Sequence, residues 1–302
     1  MPGRPSVSGG GRMNYFFDLV QGFDLRIYHF LSRFAGNWFI DRTVAFQESN
    51  EVFKGGFIIA AYWWVWFRRG PDREKHRKTI IAIMFATVLA VVVTRILAAV
   101  LPFRLRPVYD PNLEHLWSIP IKTSFAQWNS FPSDTAAYLC ALAFGFMVLV
   151  PRLKVPIVLY SVGWICFPRV FLGYHYASDV VAGTVIGVAV VWAVLKSEWL
   201  QSTVVLPIVA FADLKPHVFY AAAFLIDFEM AAIFWDIRAL EHQLVHAIRM
   251  LGHHAPGTPS PGTPGDSLAA FAALLLAVAA AIVILLIRRH AHGHHKIVPR
   301  GR

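Results

Sequence analysis

Five long apolar segments, separated by short polar stretches, are the feature that most constrains this chain. They lie at Val52–Phe67, Thr79–Leu101, Ala136–Val150, Val155–Phe167 and Val180–Leu195. A helix of about 20 apolar residues crosses a bilayer, so the shorter segments need flanking residues to complete a span. Hydrophobic residues make up 57% of the 302-residue chain and charged residues only 15%, which is outside the usual range of soluble proteins. The sequence therefore predicts an all-α fold, a polytopic transmembrane helical bundle.

The residues before the first span are more polar. Residues 1–12 consist mainly of Gly, Pro and Ser with two arginines, and they lack the apolar core of a signal peptide, so a disordered tail is predicted. From Met13 to Arg42, apolar residues alternate with charged ones such as Asp24. That stretch is too polar for a span and predicts an N-terminal interfacial helix. Residues 13–200 as a whole are expected to form the membrane domain.

Residues 201–302 are predicted to form a C-terminal extension with one or two further spans and a basic, His-rich tail. Val218–Trp235 can span but carries Asp227 and Glu229, and Ser267–Ile287 is an uninterrupted apolar run. Carboxylates two residues apart do not share a helix face, so pairing inside the bundle is favoured over a proton relay. The histidines of the tail follow no known ligand spacing, so a solvated tail is favoured over a metal site.

The basic residues predict the topology of the spans. Residues 68–78 form the densest basic loop, which the positive-inside rule places in the cytoplasm. Alternation then puts residues 104–135 and 169–179 together on the outer side. The net charge of +10 is concentrated at span ends, where anionic membrane lipids account for it, so no nucleic-acid partner is expected. We expect an integral protein of a bacterial inner membrane with its site on the outer side.

A group of polar residues ends the fourth apolar segment. Arg169, His175 and Asp179 lie where charge is costly and needs a reason. His175 and Asp179 are four residues apart, so on a helical turn they would share a face. Asp179 could then hold one ring nitrogen protonated while the other acts as a nucleophile. Arg169 would neutralise an anion.

Two further polar blocks lie between the apolar segments. The first is Arg104-Leu-Arg106-Pro107, and the second contains Ser133, Asp134 and Thr135. Ser133 and Asp134 are typical N-cap residues and precede an apolar run. They predict a helix start whose free N–H groups face the same anion as the arginines.

Together the three blocks resemble the type-2 phosphatidic acid phosphatase superfamily, over roughly residues 20–196. That family's pattern is a lysine and then Arg-Pro, then Pro-Ser-Gly-His, then Ser-Arg followed by Gly-x-His-x-x-x-Asp. The Arg-x-Arg-Pro form is similar to undecaprenyl-diphosphate phosphatases of the bacitracin-resistance type. Asp134 in place of glycine is a familiar variant of that pattern, and three further departures stand out. Thr135 replaces the general-acid histidine, Ala99 occupies the lysine position so that Arg104 or Arg95 must substitute, and Pro168 replaces the serine.

The resemblance implies a lipid phosphatase that works through a phosphohistidine on His175, without metal or other cofactor. Asp179 and Arg169 would complete the catalytic group, and His115 in the outer loop could supply the missing acid. The implied partners are membrane lipids and a lipid phosphate, with a polyprenyl diphosphate leading. The residues implied to bind phosphate are Arg104, Arg106, Ser133, Asp134 and Thr135.

Two alternative functions remain open at this stage. A lipid phosphotransferase would pass the same phosphoryl group to a hydroxyl instead of water. A catalytically silent member of the family would bind phospholipid or a partner protein, which the loss of the histidine at Thr135 allows.

Overall fold

The computed structural model describes residues 10–113 and 129–231, with side chains from residue 19 onward. Its described regular structure is helical. The helices are α1 Gly10–Ser32, α2 Trp38–Ser49, α3 Val52–Phe67, α4 Arg73–Val100, α5 Asp134–Leu149, α6 Pro151–Phe171, α7 Ala177–Lys196, α8 at residues 198–214 and α9 Pro216–Ala231. A short 3-10 turn, Pro107–Tyr109, follows α4.

Helices α4, α5 and α7 form the centre of the bundle. Two glycines of α7 allow its close approach to α5: a Cβ atom added at Gly183 would lie 2.2 Å from the carbonyl oxygen of Ser133, and one at Gly187 would lie 2.2 Å from that of Ala137. Small residues at a helix contact let two backbones approach in this way. The contact fixes the N-terminus of α5 beside the first turn of α7.

Three of the described helices, α4, α6 and α7, are long and apolar enough to cross a membrane. Helices α3 and α5 are also apolar but shorter. The protein is therefore an integral membrane protein with an all-helical fold, as the hydropathy pattern predicts. The five predicted segments all coincide with these helices, and their ends differ by up to six residues.

The regions outside the five spans differ more from the sequence prediction. One helix was expected from residue 13 to residue 42, but α1 and α2 are separate because Gly36 adopts a positive φ of 84° between them. The apolar stretch at residues 204–212 belongs to the longer helix α8. In α9, Asp227 has a partner within the bundle, since the Trp63 indole donates to it at 2.6 Å. Residues 1–9, His115, Ser267–Ile287 and the histidine tail lie outside the described residues.

Candidate active site

The three polar blocks of the sequence converge at one end of the central bundle. The first block follows α4, the second forms the N-terminus of α5, and the third connects α6 to α7. Gly173 reverses the chain after α6 with a φ of 67°, a conformation that favours glycine. Its carbonyl accepts a hydrogen bond from the Val108 amide at 3.0 Å, which joins the first block to the third.

His175 lies at the centre of this group and is only 1% exposed. Its Nδ1 is 2.8 Å from the carbonyl oxygen of Ser130, and its Nε2 is 3.1 Å from Nη1 of Arg106. A carbonyl only accepts hydrogen bonds and a guanidinium only donates them. Both contacts therefore select the same tautomer, with the proton on Nδ1 and the lone pair on Nε2. Burial, followed by the charge of Arg106, lowers the pKa of His175 to about 4.

The sequence expectation of a shared helical turn for His175 and Asp179 is wrong. His175 precedes α7, whereas Asp179 lies in the first turn of that helix, because Tyr176 between them is extended. Asp179 accepts hydrogen bonds from the Ser130 hydroxyl at 2.5 Å and the Tyr176 amide at 2.9 Å. Its nearest oxygen is 3.8 Å from Nδ1 of His175. The carboxylate is thus a charged neighbour of the ring, and Ser130 is its closer partner.

Arg106 and Arg169 approach the histidine from different elements. Arg106 also donates to the Tyr174 carbonyl at 2.8 Å, and burial lowers its pKa to about 10. Arg169 donates to the Thr135 hydroxyl at 2.8 Å and pairs with Glu48 at 2.5 Å. Its buried Nε has no hydrogen-bond partner within the described part of the chain. That atom is a donor available to an anion.

Arg104 has two carboxylate partners, each at 2.5 Å: Asp179 and Asp24 of α1. It also donates to the Ser178 hydroxyl at 2.8 Å and lies over the ring of Tyr176. Its charge is therefore balanced by carboxylates of the protein. The structure brings Arg104 to the site, but beside Asp179 and not beside the ring of His175.

The N-terminus of α5 carries the second block. Ser133 is its N-cap, as the sequence predicts, and accepts from the Ala136 amide at 3.3 Å. Asp134 is not the cap: it accepts from the Thr135 amide at 2.7 Å and lies 3.2 Å from Nε of Arg95. The backbone N–H groups of Thr135 and Ala136 therefore already donate to side chains. In this arrangement they are not free to donate to an anion, contrary to the expectation from the sequence.

Arg95 reaches the site from one helical turn before Ala99, the position where the family pattern has lysine. The guanidinium of Arg95 pairs with Asp134, the residue that precedes Thr135. Of the two arginines that could replace the lysine, Arg104 is bound by Asp24 and Asp179, and Arg95 pairs with Asp134.

Sequence reasoning missed Asp24, Glu48 and the carbonyl of Ser130. Asp24 and Glu48 bind partners 80 and 121 residues further along the chain, and no local pattern signals such pairs. A backbone carbonyl leaves no residue-type signal at all. The one available hint was the presence of carboxylates in a stretch otherwise expected to lie against a membrane.

Comparison with known protein families identifies this domain. Residues 79–202 match the family described as the PAP2 superfamily, and this segment belongs to that superfamily. Its members are typically phosphatases and act on lipid phosphates generally. Neither the curated proteins nor the solved structures gave a match to the chain. The match includes all three polar blocks and, among the site residues above, excludes Asp24 and Glu48.

Proposed function

We propose that this protein hydrolyses a lipid phosphate or diphosphate through a phosphohistidine on His175. The observation that carries the proposal is the pair of contacts made by the ring: Nδ1 is held by the Ser130 carbonyl, and Nε2 faces the guanidinium of Arg106. A nucleophilic nitrogen beside a phosphate-binding cation is the arrangement that phosphoryl transfer to histidine needs. The PAP2 match of the same segment supports it.

The chemistry begins with the neutral ring. Because its pKa is lowered to about 4, His175 carries a lone pair on Nε2 at neutral pH. A bond forms from Nε2 to phosphorus while the bond from phosphorus to the leaving oxygen breaks, and the ring becomes a cation. Asp179, 3.8 Å from Nδ1, stabilises that cation. The oxygen of a water molecule then bonds to phosphorus while the bond from phosphorus to Nε2 breaks. The water proton is released to the phosphate or the solvent, and inorganic phosphate and the neutral ring result.

Arginines supply the charge that holds the phosphoryl oxygens. Arg106 Nη1 lies 3.1 Å from Nε2, so a phosphoryl group on Nε2 would take the place of this contact and keep the guanidinium beside its oxygens. Arg169 offers its buried Nε, and Arg95 stands in for the lysine of the family pattern. Guanidinium groups suit phosphate because they donate in a planar fork. The two carboxylates on Arg104 favour a positioning role for that residue.

Thr135 bears on the substrate class. Its hydroxyl accepts a hydrogen bond from Arg169, and it is too weak an acid to protonate a departing alkoxide. A diphosphate expels a lipid monophosphate, which is already a stable anion and needs no proton. The substitution therefore favours a prenyl diphosphate over a phosphate monoester such as phosphatidic acid.

The direct experiment measures phosphate release by purified protein from a panel of prenyl diphosphates and lipid phosphates. Native protein should release phosphate, and His175→Ala should not. After a denaturing quench at alkaline pH, labelled phosphate should be found on His175. His217→Ala is a matched control, since His217 is exposed at the start of α9, near the Arg77–Asp213 ion pair at the far end of α4. Activity retained in His175→Ala would refute the mechanism, and no release by native protein would favour the phospholipid-binding alternative.

The same proposal places the site on the outer side of the membrane. The basic loop at residues 68–73 precedes α4 and the first polar block follows it, so the two lie at opposite ends of a helix of 28 residues. In a background without Cys140 and Cys166, a cysteine at exposed Asn112 should react with an impermeant reagent in intact cells. A cysteine at exposed Asp72 should react only after permeabilisation. The reverse pattern would make the substrate a lipid of the cytoplasmic leaflet.

A further inference from the structure

Two carboxylates from outside the family segment contact arginines of the site. Asp24 of α1 is 2% exposed and lies 2.5 Å from Arg104. Glu48 of α2 lies 2.5 Å from Arg169. Both helices precede residue 79, where the PAP2 match begins. Each carboxylate therefore connects an N-terminal helix to one arginine of the site.

Asp24 binds the first turn of α7 as well as Arg104. One carboxylate oxygen accepts from the Ser178 amide at 2.8 Å, and the other accepts from the Ser178 hydroxyl at 2.6 Å. Negative charge at a helix N-terminus is favourable because the free N–H groups carry partial positive charge. Asp24 thus fixes both the start of the helix that carries Asp179 and the guanidinium that binds Asp179.

The contacts of Asp24 lead to the nucleophile in a short series. Arg104 joins Asp24 to Asp179, each at 2.5 Å. Asp179 accepts the hydroxyl hydrogen bond of Ser130, whose carbonyl is the partner of His175 Nδ1. Every side chain in the series except that of Arg104 is fully buried or nearly so. A change at Asp24 therefore alters the surroundings of the group that orients the ring.

Glu48 acts on Arg169 in a similar way. Arg169 is held between the Glu48 carboxylate and the Thr135 hydroxyl, which orients its guanidinium from two sides. Lys54 lies 3.8 Å from the same carboxylate oxygen and 3.0 Å from Glu51, so Glu48 has a second cation beside it. A neutral side chain at position 48 would remove the negative charge that pairs with Arg169 and leave it with neutral partners among the described residues, Thr135 and the ring of Tyr174.

We propose that Asp24 and Glu48 are positioning residues of the active site, and that α1 and α2 are parts of that site. The proposal rests on the proposed phosphatase function, because positioning has meaning only for a reacting group. Neither carboxylate is assigned a contact with the substrate: Asp24 acts through Arg104 and Asp179, and Glu48 acts through Arg169. If these ion pairs served stability alone, their loss would lower the amount of folded protein. The turnover of the molecules that do fold would then stay unchanged.

The experiment compares Asp24→Asn and Glu48→Gln with a matched control, Asp41→Asn. Asp41 is also a buried carboxylate of α2, but its contact is to the Gly36 amide at 3.1 Å, away from the site. Small displacements of catalytic groups can lower rates up to about 100-fold. We expect kcat per folded molecule to fall about 10- to 100-fold in Asp24→Asn, with KM within about threefold of native. Glu48→Gln should lower kcat similarly, and Asp41→Asn should match native kcat.

A double-mutant cycle separates positioning from general destabilisation. If Asp24 acts through Arg104, the kcat of the double variant Asp24→Asn/Arg104→Gln should be close to that of Arg104→Gln alone, because residues in contact are not additive. Additive losses in the double variant, or native kcat in Asp24→Asn, would overturn the positioning role. The phosphatase function would stand in that case, because the native protein would still turn over substrate. A native protein that hydrolyses no member of the panel would overturn the phosphatase function and the positioning role with it.

Discussion

The Nδ1 atom of His175 lies 2.8 Å from the carbonyl oxygen of Ser130. That carbonyl can only accept a hydrogen bond, so it holds the proton on Nδ1 and leaves the lone pair on Nε2, which faces Arg106. In a serine protease triad the same task falls to a carboxylate, and its replacement by an amide lowers kcat about 10⁴-fold because the tautomer is lost. Here the tautomer is held by the backbone, and the carboxylate of Asp179 lies further away at 3.8 Å.

We therefore predict a moderate effect of Asp179→Asn, about 100-fold in kcat and well below the roughly 10⁴-fold loss of a triad whose tautomer depends on the carboxylate. The loss comes from weaker stabilisation of the imidazolium cation. Ser130→Ala keeps the carbonyl and removes only the hydroxyl that donates to Asp179, so its effect should be smaller still. Steady-state kcat of both variants checks the prediction. A loss of 10⁴-fold or more in Asp179→Asn would assign the tautomer to the carboxylate after all.

The pH dependence of kcat/KM follows from the lowered pKa of His175. The neutral ring is the nucleophile, and burial together with the charge of Arg106 favours the neutral form. Because the pKa of His175 falls from its ordinary value to about 4, the ring stays neutral down to a lower pH than an exposed histidine and is protonated only below about pH 4. We expect the acid limb of kcat/KM near pH 4, since this parameter reports the free enzyme. An acid limb near pH 6.5, the value of an exposed histidine, would contradict the prediction.

The central helices could be read from hydropathy because a membrane segment must satisfy its own backbone and present apolar side chains. The span predicted at Thr79–Leu101 corresponds to helix Arg73–Val100. The helix starts six residues earlier because residues 73–78 are polar, and a hydropathy pattern detects only the apolar part of a helix. The break at Gly36 was missed because a single glycine within an amphipathic stretch is a weak signal. Alternation of the spans predicted that the three polar blocks lie on one side of the membrane, and in the structure they meet at one end of the bundle.

The contacts among the residues of these blocks were beyond sequence reasoning. His175 and Asp179 have helical spacing, yet the positive φ of Gly173 and the extended Tyr176 keep His175 in a loop. Arg104 and Arg95 both lie near Ala99, where the family pattern has a lysine. The sequence cannot tell which of them takes the role of the lysine, and only the tertiary structure shows their different carboxylate partners. Asp24 has the residue type of an ordinary surface charge. Its burial depends on the docking of α1 against α7, which no local pattern encodes.

A prediction about stability follows from the contact between α5 and α7. Gly183→Ala would place a Cβ atom 2.2 Å from the carbonyl oxygen of Ser133, so the two helices must separate. Overpacking of this kind destabilises by about 1–3 kcal/mol. We expect a lower unfolding temperature and a lower kcat, because Ser133 begins the helix that carries Thr135. Gly163→Ala is the control, since nothing lies within 4 Å of its added Cβ. Equal unfolding temperatures for the two variants would contradict the packing argument.

The last prediction concerns Thr135 and the leaving group. Positioned general acids contribute roughly 10² to 10⁴ in rate, and the Thr135 hydroxyl, bound by Arg169 at 2.8 Å, cannot serve as one. A monoester must expel an alkoxide, which needs a proton, whereas a diphosphate expels a stable anion. We expect Thr135→His to raise monoester hydrolysis more than diphosphate hydrolysis, by about tenfold or more in the ratio of kcat/KM values if even part of that contribution is recovered.

The test compares a prenyl diphosphate with phosphatidic acid in three proteins: native, Thr135→His and His115→Ala. His115 is predicted to lie in the outer loop, is outside the described residues, and could supply the acid that Thr135 lacks. If it does not, native protein should prefer the diphosphate, and His115→Ala should keep that preference and its rates. Equal native rates that fall together in His115→Ala would instead identify His115 as the acid and remove the leaving-group basis for a diphosphate substrate.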